Sequence, residues 1–222
     1  MIQANTLRFL RALSKHNDRS WFDAHRDAYG QAKSDVEGFL ALLIPGMAAL
    51  DPALEGLTPK QCLFRINRDT RFSKDKHPYK TNFGAHMAKG GRKSPLAGYY
   101  LHIEAGASML GGGLWMPMPP QLGKVRQEID YCLGEFESLL RTPAFRKAFG
   151  GLQTGEGMSL RRVPKGYEAD NPAAEHLKLK SFVAMRRFSD EEVLSKDFLK
   201  QALSSFRALK PLIDFLNRAV ED

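Results

Sequence analysis

Apolar residues near the start of the chain recur every three or four positions, which predicts amphipathic helices there. Asn5 is placed to cap a first helix, and Ser20 is placed to cap a second. Gly30, Gly38 and Pro45 interrupt the second apolar pattern and are expected to divide that helical region.

The last hundred residues return to the helical period after a strand-rich centre. A strong amphipathic helix is predicted over residues 122–140, and a shorter one begins at Pro143, where proline suits the first helical position. Ser189 and Glu192 form a capping box, and a final helix containing Pro211 is expected over residues 198–220.

Between these helical regions the apolar period changes to two, which is typical of half-buried strands. Phe64 and Ile66 alternate with Arg65 and Asn67, and further strands are predicted at residues 82–88, 98–104, 108–115 and 180–188. The short Ala105-Gly106-Ala107 turn predicts a hairpin. Strands joined by hairpins, with helices at both ends, indicate an α+β fold: one domain over residues 1–222, with a mainly antiparallel sheet and the N- and C-terminal helices packed on it.

The basic and acidic residues are unevenly distributed along the chain. Residues 60–100 contain ten basic and two acidic side chains and carry the whole net charge of +8, while the other 181 residues are balanced. A charge excess confined to one segment favours a local anionic partner.

Other features narrow the class of protein. Cys62 and Cys132 are the only cysteines and form no CxxC pair, so we expect a cytoplasmic protein without a disulfide framework. No apolar run approaches the roughly 20 residues needed to span a bilayer, and the N-terminus lacks the pattern of a secretion signal. No motif indicates a cofactor or a metal, and the oligomeric state is left open.

The densest part of the basic segment carries an ordered set of arginines, acids and aromatic residues: Arg65, Arg68, Asp69, Arg71, Phe72, Asp75, Lys76 and Tyr79. This order resembles the signature of domain-of-unknown-function family 2461, proteins of about this length from bacteria and some fungi. Residues 17–22, the triple glycine before Trp115, and residues 164–167 also resemble that family, so the resemblance covers nearly the whole chain. The family brings no established activity, and function is therefore inferred from the residues themselves.

Strand geometry leaves two arrangements for the arginines. In one straight strand, Arg65 and Arg71 would lie about 20 Å apart at ~3.3 Å per residue, too far to share one phosphate. The charges would then line an extended surface suited to a nucleic acid. A turn near Asp69 would instead gather arginines around a compact anion site, and turn-forming Asp69, Asp75 and Pro78 favour that arrangement.

Three functional hypotheses follow. The favoured one is binding of a small anionic, phosphorylated ligand by Arg65, Arg68 and Arg71, with Lys76, Tyr79 and Lys80 at the rim. If the protein is an enzyme, which the sequence leaves open, Asp69, Asp75 and His86 are the candidate catalytic residues. The alternatives are a nucleic-acid-binding module that uses the basic surface of residues 60–93, and a structural or interaction protein braced by an internal Arg–Asp network.

Three further patterns have competing interpretations. His102 and Glu104 share a predicted strand face with Tyr100, which favours a solvent-facing side over a metal or acid–base site that would also include His86. Trp21, His25 and Tyr29 recur at four-residue steps, which favours helix packing over ligand stacking. The triple glycine at 111–113 favours a bulge or a close approach of another backbone over a phosphate loop.

Overall fold

The computed structural model describes residues 1–155 and 157–221. Within these ranges it contains ten α-helices and a four-stranded antiparallel sheet in the order β1-β2-β3-β4. The helices are α1 (Ala4–Lys15), α2 (Arg19–Ala24), α3 (Arg26–Ala48), α4 (Pro59–Cys62), α5 (Pro119–Tyr131), α6 (Leu133–Arg141), α7 (Pro143–Phe149), α8 (Ala174–Leu177), α9 (Asp190–Leu194) and α10 (Phe198–Glu221). The strands are β1 (Phe83–Met87), β2 (Gly98–Ile103), β3 (Met109–Leu114) and β4 (Phe182–Arg187), and a single 3-10 turn covers Pro52–Leu54. The predicted α+β class with an antiparallel sheet is confirmed.

The chain divides into two compact units. The first contains residues 1–93, 100–110 and 187–204, and the second contains residues 94–99, 111–186 and 205–222. Both β2 and β3 contribute residues to each unit.

The first unit is built around the long helix α3. One side of α3 buries Val36, Phe39 and Leu43, and both α3 and α4 contact β1. Phe39 stacks on Phe198 at the start of α10, with ring centroids 5.0 Å apart. Burial of this continuous apolar stripe holds α1, α3 and the sheet together.

The second unit packs the C-terminal half of α10 against its part of the sheet and against α6. Phe206 meets Tyr99 of β2 edge to face at 5.4 Å, and Phe215 lies 5.1 Å from Phe136 of α6. Gly112 of β3 lies against the Gly98 carbonyl and the Leu209 side chain, so a Cβ at this position would have no room. The triple glycine therefore serves a close backbone approach in the sheet, as the sequence predicted.

The helix ends differ from the predicted ones. The cap of α1 is Gln3, and Asn5 lies within the first turn. The cap of α2 is Asp18, whose carboxylate accepts a hydrogen bond of 2.9 Å from the Trp21 amide, and Ser20 is inside the helix. A backbone already extended at Asp18 places its short side chain beside the free amides of the first turn, where Ser20 cannot reach them.

Glycine and proline do not divide the second helical region where the sequence predicted. The break falls at His25, and α3 continues through Gly30 and Gly38 and includes Pro45 in its last turn. A glycine costs a helix only about 1 kcal/mol, which burial of the apolar side of α3 outweighs. The predicted helix 122–140 is likewise two helices, α5 and α6, with Cys132 between them.

Candidate functional site

The basic motif folds as an irregular hairpin that precedes β1. Its two arms are joined by an antiparallel bridge between Asn67 and Tyr79, by a hydrogen bond of 2.9 Å from the Arg68 amide to the Pro78 carbonyl, and by one of 2.8 Å from the Lys80 amide to the Ile66 carbonyl. The chain therefore turns between these arms, as Asp69 and Pro78 predicted. The first arm alternates in burial, but it pairs only through isolated bridges and forms no strand of the sheet, so the strand predicted around Phe64 and Ile66 does not form.

Within this hairpin the arginines do not converge on one point. Arg68 donates from Nη1 to Asp75. Arg71 forms a two-point pair with Asp69, from Nε to Oδ1 at 3.0 Å and from Nη2 to Oδ2 at 2.7 Å. Asp75 is one of the partners that the structural-network hypothesis named for Arg68, whereas the pair between Arg71 and Asp69 was not predicted.

The carboxylates respond to these partners. The bond from Arg68, with a further contribution from the His77 amide, holds the pKa of Asp75 far below its usual range. The bond from Arg71 lowers the pKa of Asp69 in the same way and raises that of Arg71. Both acids are therefore ionised at neutral pH and poorly suited to act as general bases.

A cleft of about 290 Å³ opens beside the hairpin; we call it the basic cleft. Its lining residues are Ser14, Asn17, Arg68, Asp75, His77, Tyr79, Lys80, Thr81 and Asn82. Of the predicted ligand-binding residues, Arg68, Tyr79 and Lys80 are in this lining, and so is Asp75. Arg65, Arg71 and Lys76 lie outside it.

Lys80 is a partly buried cation of the basic cleft, like Arg68. Its Nζ donates 3.1 Å to the Arg65 carbonyl and lies 5.3 Å from the centroid of the Phe64 ring. Burial, together with the charge of Arg65, lowers the pKa of Lys80. A negative ligand next to this amine would offset the cost of its burial.

The buried side of the hairpin is fixed to the helices by Asn17 and Phe22. The Asn17 side chain accepts from the Tyr79 amide at 3.0 Å and donates to the Tyr79 carbonyl at 2.9 Å, as a neighbouring strand would. The Phe22 ring stacks on the Tyr79 ring with centroids 3.9 Å apart. Residues 17–22, singled out by the family resemblance, therefore position the wall of the basic cleft.

The predicted residues outside the basic cleft have their own positions. Lys76 donates from Nζ to the Thr70 carbonyl at 3.0 Å within the hairpin. Arg65 is exposed and forms no close ion pair among residues 1–155 and 157–221, although its charge contributes to the lowered pKa of Asp69. His86 lies on β1 away from the cleft lining, and burial lowers the pKa of its imidazole.

Sequence reasoning did not identify a hydrogen-bonded set of side chains on β2, where a solvent-facing strand side was favoured. His102 Nε2 lies 2.8 Å from Glu104 Oε2, and His102 Nδ1 lies 3.2 Å from both Tyr100 Oη and Asn82 Nδ2. Thr81 donates to Glu104 Oε1 at 2.5 Å. The alternation of the predicted strand 98–104 placed Tyr100, His102 and Glu104 on one face, and Glu104 directly follows β2. Nothing in the pattern showed that residues 81 and 82 cover this face.

Neither a metal centre nor a membrane-spanning helix is found among the residues that the structure describes. Over the described residues, no three His, Cys, Asp or Glu side chains are grouped as they would be around a metal ion. Every helix in those ranges is too short or too polar to cross a lipid bilayer.

These observations define the class of protein: an α+β fold with an arginine-rich hairpin beside a basic cleft. The chain belongs to the family described as conserved hypothetical protein (DUF2461), whose model matches residues 5–215. The resemblance found in the sequence is thereby confirmed over nearly the full length. No curated protein and no solved structure matches the chain significantly.

Proposed function

We propose that this protein binds a small anionic ligand, of the phosphorylated class, in the basic cleft. The observation that carries the proposal is that Arg68 and Lys80 line one cleft in which Asp75 is the single acid of the lining. Asp75 already accepts bonds from Arg68 and from the His77 amide, so the lining keeps an excess of positive charge and of hydrogen-bond donors.

The donors of this lining match the needs of a phosphate or carboxylate. Among the described residues the Arg68 guanidinium bonds only through Nη1, which leaves its other N–H groups for a ligand. The Asn82 amide adds a neutral donor, because only one of its two N–H groups is directed at His102. A volume of about 290 Å³ is at the small end of ligand sites, which favours a phosphate on a small carbon skeleton over a nucleotide.

A thermal-shift panel tests this proposal with inorganic phosphate, small sugar phosphates, nucleotides and short oligonucleotides at two salt concentrations. A ligand at 100 times its dissociation constant adds about 2.7 kcal/mol to the free energy of unfolding, which is several degrees for a chain of this size. A small phosphorylated ligand should raise Tm at both salt concentrations, because a partly buried site is weakly screened.

Lys80→Met and Lys93→Met form a matched pair for the same panel. Both remove one lysine charge from the basic segment, but Lys93 is exposed and outside the cleft lining. We expect the ligand-induced shift to fall in Lys80→Met and to persist in Lys93→Met. Equal shifts in both variants would contradict the cleft as the binding site, and a flat panel would leave the internal Arg–Asp pairs as the role of the motif.

A nucleic-acid surface is the second candidate, favoured by the tip of the hairpin. The Phe72 side chain is 95% exposed, and the Arg71 guanidinium lies 5.7 Å from the centroid of its ring. Lys74, two residues along the chain, is also exposed. An exposed aromatic ring among basic residues is the arrangement by which proteins stack on bases and hold a phosphate backbone.

Phe72→Ala tests this second candidate, with Trp115→Ala as the control, because Trp115 is also an exposed aromatic residue at 62%. Loss of one stacked base costs about 1–3 kcal/mol, so Phe72→Ala should weaken oligonucleotide binding by roughly 5–150-fold. Binding should also weaken steeply with salt. Equal affinities of the two variants would exclude stacking at the hairpin tip.

A further inference from the structure

His77 and Asp75 form a hydrogen-bonded pair within the basic cleft. Both residues belong to the cleft lining, and His77 Nδ1 lies 2.6 Å from Asp75 Oδ1. The Asp75 carboxylate is ionised and can only accept, so the proton of this bond is on Nδ1 of a neutral ring. Nε2 of His77 then carries a lone pair, and it has no hydrogen-bond partner among the described residues.

The turn that contains this pair fixes the carboxylate and the ring relative to each other. Asp75 Oδ1 also accepts a hydrogen bond of 3.0 Å from the His77 amide, so the two residues are joined at two points. Pro78 follows directly and disfavours a helical backbone at His77, which keeps the turn open. The His77 side chain is 64% exposed, so a ligand can reach the ring.

One carboxylate connects His77 to the anion-binding part of the cleft. Asp75 Oδ2 accepts from Arg68 Nη1 while Oδ1 accepts from the His77 ring, so the guanidinium and the imidazole are held at the two oxygens of a single side chain. Arg68 also belongs to the lining. In a cleft of about 290 Å³, a phosphate that bonds to the remaining N–H groups of Arg68 therefore lies beside the His77 ring.

We propose that His77 is a nucleophile that accepts the phosphoryl group of a small phosphorylated substrate bound in the basic cleft. This inference rests on the proposed function, because Arg68 and Lys80 would bind the phosphate. His77 is the catalytic residue, and Asp75 is a positioning residue that holds the ring by its Nδ1–H group. Phosphoryl transfer requires a positioned nucleophile and positive charge around the phosphate oxygens, and the cleft lining contains both.

The reaction conserves atoms and charge. The Nε2 lone pair attacks phosphorus, an N–P bond forms, and the bond from phosphorus to the leaving oxygen breaks with its electron pair on that oxygen, which takes a proton from water. The ring gains one positive charge, which Asp75 stabilises through the Nδ1–H bond. Water then attacks phosphorus, the N–P bond breaks with its electron pair on Nε2, and inorganic phosphate is released. The proton lost by the attacking water balances the one taken up by the leaving oxygen, and nothing is oxidised or reduced.

Phosphoramidate tests the nucleophile before a substrate is identified. It is a small anionic phosphoryl donor: an N–P bond to His77 forms, the P–N bond of the reagent breaks, and ammonia leaves. Peptide mass spectrometry of the treated protein, at alkaline pH to preserve phosphohistidine, gives the rate of phosphorylation at His77 relative to His16. The His16 side chain is also exposed, but its ring stacks on Trp21 and has no carboxylate partner among the described residues.

We expect phosphorylation of His77 to be about tenfold or more faster than that of His16, and Asp75→Asn to remove most of this difference. The asparagine side chain still offers an oxygen to the Nδ1–H group, so the ring keeps a hydrogen bond and loses only the charge that stabilises the intermediate. Inorganic phosphate should slow the reaction at His77 and leave the rate at His16 unchanged. A merely structural pair of His77 and Asp75 would give neither the rate difference nor this protection.

Lys80→Met, with Lys93→Met as its control, separates this inference from the proposed function. Slower phosphorylation of His77 in Lys80→Met alone supports a nucleophile within the anion site. Fast phosphorylation of His77 that depends on Asp75, but not on Lys80 or on added phosphate, retains the nucleophile and contradicts the proposed anion site. Phosphorylation of His77 that is no faster than that of His16, or that is unaffected by Asp75→Asn, overturns the inference even if phosphate raises Tm.

Discussion

Asn17 replaces a missing strand partner for the wall of the basic cleft, and its removal should be costly. Its side chain satisfies both the amide and the carbonyl of Tyr79, at 3.0 and 2.9 Å, and Tyr79 is only 7% exposed. Asn17→Ala would leave both backbone groups without these partners next to the stacked Phe22 and Tyr79 rings.

The size of the effect follows from the two lost bonds. An unsatisfied buried backbone group costs about 1–3 kcal/mol, and partial access of water places this pair at about 2–4 kcal/mol in total. For a chain of this length the loss corresponds to a decrease in Tm of about 5–15 °C. Asn17→Asp should fall between the wild type and Asn17→Ala, because a carboxylate still accepts from the Tyr79 amide but cannot donate to its carbonyl.

Urea unfolding followed by circular dichroism measures these differences, with Asn5→Ala as the matched control. Asn5 is exposed and accepts one bond from Arg8 three residues along α1, so its removal should change the free energy of unfolding by less than about 0.5 kcal/mol. If Asn17→Ala were no more destabilising than Asn5→Ala, the bonds to Tyr79 would not hold the hairpin in place.

Three further predictions concern the sheet, acid stability and the thiols. Gly112→Ala should lower the free energy of unfolding by about 3 kcal/mol or more in urea, because the new methyl group would overlap backbone atoms of β2. Gly123→Ala, in an exposed part of α5, should be neutral or stabilising, and similar results for the two variants would contradict the close approach at Gly112. The pKa of Asp75 is held low in the folded state, so the contribution of this carboxylate to stability is complete above about pH 4 and is lost as the pH falls further. Between pH 6 and pH 2, Tm should therefore decline less in Asp75→Asn than in the wild type, and parallel curves would count against the pair with Arg68. Burial raises the pKa of the Cys62 thiol to about 11, so a disulfide reagent at pH 8 should modify Cys62 only after the protein unfolds. Fast modification of Cys62 in the native protein would show that the thiol is accessible.

Local signals in the sequence were sufficient wherever neighbouring residues set the structure. The hairpin between β2 and β3 followed from Ala105-Gly106-Ala107, and the Ala107 amide bonds to the Glu104 carbonyl at 3.1 Å as that turn requires. The Ser189 capping box also forms as predicted. In each case the interacting groups lie within a few residues of each other, so their spacing alone defines the geometry.

Local signals of this kind could not identify the partners of the arginines. The sequence indicated that Arg68 lies on the inner side of its arm and needs compensation, but Asp69, Asp75 and a ligand were all available partners. Folding of the hairpin placed Asp75 opposite Arg68 and left Asp69 to Arg71. Which acid meets which base depends on the path of the turn, because charge interactions act through space and not along the chain.

The sequence by itself determined the α+β class, the family and the confinement of positive charge to one segment. Composition and hydrophobic period are properties of the chain, and they persist in any compact fold that buries its apolar residues. The tertiary structure alone decided that Lys80, rather than Arg65 or Arg71, joins Arg68 in the basic cleft, and that Thr81 and Asn82 cover one face of β2. A two-residue period predicts which side of a strand each residue occupies. What lies against that side depends on how distant segments of the chain pack.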